Sequence, residues 1–237
     1  YMYFSNGFGL VQLGRTEGAE DNLALGADTI AAGTVGIDGD TENLGETEIV
    51  NSGDAAKISY FTPRIAGLQF GVSYTPDTGD GEDESDGEGG EDGEDLENHV
   101  GLGVNLAQKL GAIDAGLALV GSFGNAEQAA TDDLSAVAIG GTLAVDDVAL
   151  AASFGHVDQA EDFNFATAGG TVELGEVNVG LGYNYLDEAV AGVTHITALS
   201  GDIELFDGVE LQGDVSYSDP EIQDETVASV FSVELSF

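Results

Sequence analysis

The chain has 237 residues, 42% of them hydrophobic, and no cysteine, enough for one large β domain built without disulfides or thiolate metal sites. Its 45 acidic side chains against four Lys and Arg give a formal net charge of −41. That balance argues against nucleic acid or an anionic membrane surface as a recognised partner and makes cations its natural company. No run of about 18 apolar residues exists, which excludes a transmembrane helix but not barrel strands of about 9–11 residues.

In chain order, Tyr1 already lies inside a strand pattern with neither an initiator Met nor a signal-peptide pattern before it, so an incomplete or processed chain is expected. Tyr1–Ser5 reads as a strand, Asn6-Gly7 as a two-residue hairpin turn, and Gly7–Gly14 as the return strand. Val11 and Leu13 share one face of that strand and Gln12 the other. Residues 15–54 form a long, poorly periodic segment, too long for an ordinary hairpin loop and therefore a functional or disordered one. Alternation resumes over Ala55–Pro63, turns at Arg64-Ile65 and returns through Leu68, Phe70, Val72 and Tyr74.

The run 77–97 is a low-complexity acidic stretch, expected as a solvated loop. Beyond it the chain settles into a meander, with strands at His99–Lys109, Ala112–Phe123, Ser135–Val145 and Val148–His156. Further strands are expected at Asp162–Leu174, Val177–Leu186, Val193–Leu205, Val209–Tyr217 and Thr226–Phe237. Tight connections such as Leu110-Gly111 and Asp146-Asp147 alternate with mostly longer, acidic ones. Short turns on one rim and longer loops on the other is the layout of an outer-membrane barrel.

The faces agree with that layout. Val177, Val179, Leu181, Tyr183 and Tyr185 alternate with Asn178, Gly180, Gly182 and Asn184, so one face is apolar and the other wet. Val209, Leu211, Val215 and Tyr217 likewise oppose Glu210, Gln212, Asp214 and Ser216, and the last strand sets Val227, Phe231, Val233, Leu235 and Phe237 against Glu234. Glycine is frequent in the strands, as at Gly101, Gly103 and Gly116, which suits strong curvature or close backbone approach. Phe163 and Phe165 fall out of phase with Val172 and Leu174, so a bulge is expected near Gly169-Gly170.

His99, His156 and His195 are scattered, with no transition-metal spacing, and no nucleophile-elbow, phosphate-loop or dinucleotide pattern occurs in a strand-to-helix context. No enzyme is read here. In the acidic run, Asp77, Asp80, Asp83 and Asp86 are candidate Ca²⁺ ligands, because packed carboxylates repel and Ca²⁺ takes oxygen ligands. The spacing is not that of an EF-hand, and a solvated anionic brush accounts for the same residues, as does a high-salt environment.

The run Lys57-Ile58-Ser59-Tyr60-Phe61-Thr62-Pro63, continued by Gly67-Leu68-Gln69-Phe70-Gly71-Val72-Ser73-Tyr74-Thr75-Pro76, resembles the general diffusion porins of alphaproteobacteria. Gly9–Arg15 before the long segment and the terminal Phe237 resemble the same family. The resemblance implies an all-β fold, a transmembrane antiparallel β-barrel of sixteen strands. About thirteen are present in this sequence, with the first three missing. It implies a single barrel domain over 1–237, with 15–54 as the inward-folded constriction loop and 77–97 as an acidic extracellular loop.

By the same resemblance the chain is an outer-membrane homotrimer passing small hydrophilic solutes by passive diffusion, in contact with outer-membrane lipid and lipopolysaccharide. The candidate constriction residues are then Gln12, Arg15, Glu17, Glu20, Asp21, Asp28, Asp38, Asp40, Glu42, Glu46 and Glu48. Asn178, Asn184, Glu210, Gln212, Asp214 and Glu234 would line the lumen wall. Rings of carboxylates enrich cations and exclude anions, so a cation preference is expected. Gln12 stands where the family often carries a basic residue, which puts the usual arginine wall facing the loop in question. The alternative from another class is a secreted or surface-layer β protein that binds Ca²⁺ and serves structure or adhesion.

Overall fold

A computed structural model describes residues 1–30, 49–53, 55–79, 96–126, 132–159, 162–206 and 208–235. Among the described residues thirteen strands run as one antiparallel meander in sequence order. They are β1 (Met2–Asn6), β2 (Gly9–Arg15), β3 (Ala56–Phe61), β4 (Leu68–Asp77), β5 (Leu96–Leu110), β6 (Ile113–Ala126) and β7 (Leu134–Val145). The meander continues through β8 (Val148–Asp158), β9 (Phe163–Glu173), β10 (Val177–Glu188), β11 (Gly192–Phe206), β12 (Val209–Pro220) and β13 (Thr226–Leu235). Among the described residues the sheet stays open, with β1 and β13 as its edges. A short helix α1 (Ala19–Asn22) and a 3₁₀ turn (Asp28–Ile30) belong to the segment between β2 and β3.

Period-two patterning fixes the two faces. Leu119, Leu150, Phe154, Leu181 and Leu199 are each about half exposed on one face, whereas Ser122, Ser73, Thr75 and Asn184 are fully buried on the other. Ser73 and Thr75 on β4 and Ser122 on β6 belong to the strands that α1 contacts on that face. Apolar outside and polar inside is the inverse of a soluble sheet and suits a wall against lipid.

Two hairpin turns sit slightly apart from their expected places. β1 runs on to Asn6, whose side chain accepts the Phe8 N–H at 2.8 Å, so Gly7 and Phe8 make the turn. Between β3 and β4 the turn residues are Ala66 and Gly67, beyond the expected Arg64-Ile65, and Ile65 pairs with Leu68. Both have positive φ, 51° and 86°, the backbone twist that matches a two-residue hairpin.

The bulge expected near Gly169-Gly170 is absent: β9 keeps unbroken register with β8 and β10 through both glycines. Phe165 is instead an inward residue, fully buried, with its ring over Gly155. The local inner face is apolar because it packs against the inward segment, so the phase never breaks. Register shifts occur elsewhere, between Glu97 and Val100, where Asn98 has φ 56°, and between Glu204 and Phe206.

Candidate functional site

The segment leaving β2 lies against the inner face. α1 contacts β3, β4, β5 and β6, and the 3₁₀ turn contacts β8 and β9. Alternation on the wall presents the partners: Lys57, Ser59 and Phe61 from β3, Ser73 and Thr75 from β4, His99 and Asn105 from β5, and Ser122 from β6. A four-residue helix leaves its first N–H groups without partners inside it, and its N-cap, Gly18, has no side chain to supply them. The sheet does so: the Ser73 Oγ accepts the Ala19 N–H at 3.0 Å.

Glu20, in the same turn, is 1% exposed. Its carboxylate accepts the Ser73 hydroxyl at 2.8 Å, the Ser52 hydroxyl at 3.1 Å and the Ser52 N–H at 3.4 Å. His99 Nδ1 lies 4.0 Å away, and its Nε2 is 2.6 Å from the Ser122 Oγ. A buried carboxylate is tolerated only when donors converge on it, and here they come from Ser52 at the far end of the segment and from Ser73 on β4. Lys57 completes the base. Its buried Nζ donates to the carbonyls of Thr16, Ser52 and Gly53, joining the start and the end of the segment.

Further along, Asn105 Nδ2 donates to the Leu23 carbonyl at 3.3 Å, and Arg64 fixes that amide by donating to its Oδ1 at 2.9 Å. The Ala27 N–H donates to the Thr167 Oγ1 at 3.3 Å. Side chains alone do not bring the backbone this close; glycines on the wall make the room. A Cβ at Gly101 would lie 1.4 Å from the Glu20 Oε2, and one at Gly140 1.6 Å from the Leu25 carbonyl oxygen. Gly103 and Gly169 similarly underlie Leu23 and Ala27.

The expected constriction residues separate into distinct places. Gln12 is on the inner register, opposite Ser59, and its Oε1 is buried without a hydrogen-bond partner among the described residues. Arg15 ends β2 exposed, on the register of Val11 and Leu13, opposite the outward Ala56. Glu17 is exposed on the segment. Glu20 is the buried anchor rather than an open carboxylate, and Asp21 is half-buried beside a crevice shared with Ile49 and Asn51. Asp28 lies in the 3₁₀ turn. Asp38, Asp40, Glu42, Glu46 and Glu48 lie outside the described residues, as do Asp80, Asp83 and Asp86; Asp77 closes β4 and accepts the Gly79 N–H at 2.9 Å.

On the wall, Asn178 donates to the Asp202 carboxylate at 2.7 Å, Gln212 donates to Glu210 at 2.7 Å, and Asn184 and Asp214 are buried. Glu204, Glu210 and Glu234 occupy directly opposed register positions on β11, β12 and β13. The four basic residues stand apart from that row of carboxylates, Lys57 and Lys109 on the inner register of β3 and β5. Lys57 lies under the segment's base, Arg64 in the β3–β4 turn, Lys109 against Asp114 at 2.9 Å and exposed, and Arg15 at the outward end of β2.

Sequence reasoning missed Lys57, His99, Ser73 and the seating role of the wall glycines. One signal was available: Lys57 is a rare cation in alternation with the outward Ile58 and Tyr60, hence inward.

A family model for Gram-negative porins matches residues 1–222. Solved structures share the fold at low identity. A porin refined at 1.8 Å is 16% identical with a TM-score of 0.66, matching 99% of this chain and 80% of its own. An anion-selective porin from Comamonas acidovorans is 18% identical with a TM-score of 0.59, over 98% of this chain and 74% of its own. A mutant of the Rh. blastica porin is 19% identical with a TM-score of 0.62, over 98% and 74%. No curated protein sequence matches. An apolar-out, polar-in meander with a segment folded onto its inner face, matched by the family over nearly its whole length, makes this chain a member of the Gram-negative porin family, a non-enzymatic diffusion channel of the bacterial outer membrane.

Proposed function

We propose that this porin passes small hydrophilic solutes and ions with a preference for cations, and that the segment 15–54 forms its constriction. The observation that carries the preference is the placement of the four basic residues: Lys57, Arg64, Lys109 and Arg15 are each engaged or turned outward, while carboxylates stand on the inner register. Opposed like charges repel, and mobile cations in the passage relieve that repulsion. Fixed carboxylates of this kind raise local cation concentration and exclude anions. Homotrimeric assembly, the general state in this family, is part of the same proposal.

The test is the reversal potential of the channel in a planar bilayer under a KCl gradient. A potential of the sign set by K⁺ is expected; one of zero or of the Cl⁻ sign overturns the preference. The chain's lack of cysteine allows a second test. Asn22 is exposed at the end of α1, its side-chain amide donating to the Gly18 carbonyl at 2.8 Å. In Asn22→Cys, a bulky methanethiosulfonate reagent should reduce conductance. Unchanged conductance after complete labelling removes the segment from the passage.

A further inference from the structure

We propose that two wall glycines, Gly101 and Gly140, set the aperture of the channel by setting how closely the inward segment approaches the wall. This rests on the reading that the segment borders the passage. The segment's hydrogen bonds to the wall reach from β3 to β9, and each needs backbone or a carboxylate within contact distance of the sheet. At Gly140 the Leu25 carbonyl oxygen occupies the place of a Cβ, at 1.6 Å, and at Gly101 the Glu20 carboxylate does, at 1.4 Å. Real Cβ contacts keep at least 3.0 Å, so alanine at Gly140 drives the Leu25 backbone off the wall by about 1.4 Å. The β-sheet behind is a hydrogen-bonded ladder and the segment is not, so the segment yields, and it yields towards the lumen. The width of the passage is therefore encoded on the wall, by the absence of two methyl groups, as well as in the segment itself.

The experiment compares single-channel conductance, and uptake of neutral sugars of graded size into liposomes, across five variants of the full chain. Gly140→Ala and Gly101→Ala should each lose conductance and shift the size cut-off downward. Gly141→Ala adds the same methyl to the same strand on the opposite face, where it meets only the Gly116 carbonyl at 3.1 Å and Leu117 at 3.8 Å, and should behave as the parent. The obstructions at Gly101 are side chains, the Glu20 carboxylate and the Ser73 hydroxyl, so in a Glu20→Ala, Ser73→Ala background Gly101→Ala should cause no further loss. This pair carries the test if Gly140→Ala fails to reach a heat-modifiable barrel.

Parent-like conductance in Gly140→Ala and Gly101→Ala overturns the proposal, and so does an equal loss in Gly141→Ala. If Asn22→Cys is blocked by thiol reagent while the glycine variants conduct normally, the aperture proposal alone falls. If Asn22→Cys is not blocked, the constriction reading falls and takes this one with it.

Discussion

Replacing Lys57 by Met should detach the base of the inward segment while leaving the sheet intact. Lys57 is 5% exposed, and its ammonium is held by the carbonyls of Thr16, Ser52 and Gly53. Methionine fills similar volume but donates nothing. A hydrogen bond to a charged group contributes about 1.5–3 kcal/mol, yet water reaches two of the freed carbonyls, since Thr16 is half-buried and Gly53 exposed. Only the Ser52 carbonyl belongs to a buried residue, so a net loss of about 2–4 kcal/mol in the attachment of the segment is expected.

At about 1.4 kcal/mol per tenfold, the detached population should rise roughly 30- to 1000-fold. Native-state hydrogen exchange in detergent reads this directly. The Ala19 N–H, bonded to Ser73, and the Asn22 N–H, bonded to the Gly18 carbonyl at 3.1 Å, should lose protection by that factor. Amides in the β7–β8 ladder should not change. Unchanged protection at Ala19 and Asn22 would refute the clamp, and an equal loss in the ladder would show that Lys57 supports the whole sheet instead.

Other residues yield further expectations. Glu20→Gln keeps the shape but gives up the charge-assisted bonds from Ser73 and Ser52, so attachment should weaken by about 1–3 kcal/mol, read as faster limited proteolysis between residues 15 and 54 in a folded barrel. Phe165→Ala empties a fully buried inner position and should cost about 3 kcal/mol in urea-induced unfolding from micelles. Leu181→Lys, outward and mid-strand, should cost about 2–4 kcal/mol in lipid vesicles. Asn178→Lys, inward beside Asp202, should cost far less and should move the reversal potential towards zero.

Strand existence, face assignment and the alternation of loop lengths were legible because a period of two is local information: each side chain's face follows from its neighbour's. Val177–Tyr185 and Val209–Tyr217 carried that pattern without ambiguity: Leu181, Tyr183, Leu211, Val215 and Tyr217 are exposed, while Asn184 and Asp214 on the other face are buried. Phe163 and Phe165 misled for a physical reason. Periodicity reports which residues are apolar, not whether lipid or the protein's own chain covers them, and an inward phenylalanine under a folded-in segment mimics a slip of register.

Composition gave the charge, and the scarcity of Lys and Arg marked each of them as notable, but it could not give their partners. Glu20 reads in the sequence as one acid among many. Only the fold separates it from Glu17 by burying it among Ser73, Ser52 and His99, residues 32 to 79 positions away in the chain. The same holds for Thr167, which meets Ala27 across 140 positions, and for Gly101 and Gly140, whose missing side chains matter only because another segment comes to rest on them. The sequence by itself determined the strands, their two faces and the acidic character, since these depend on nearest neighbours and on sums over residues. Tertiary structure alone decided which acids are anchors, which cation is a clamp and which glycines are a seat. Those roles exist only once distant residues are brought into contact.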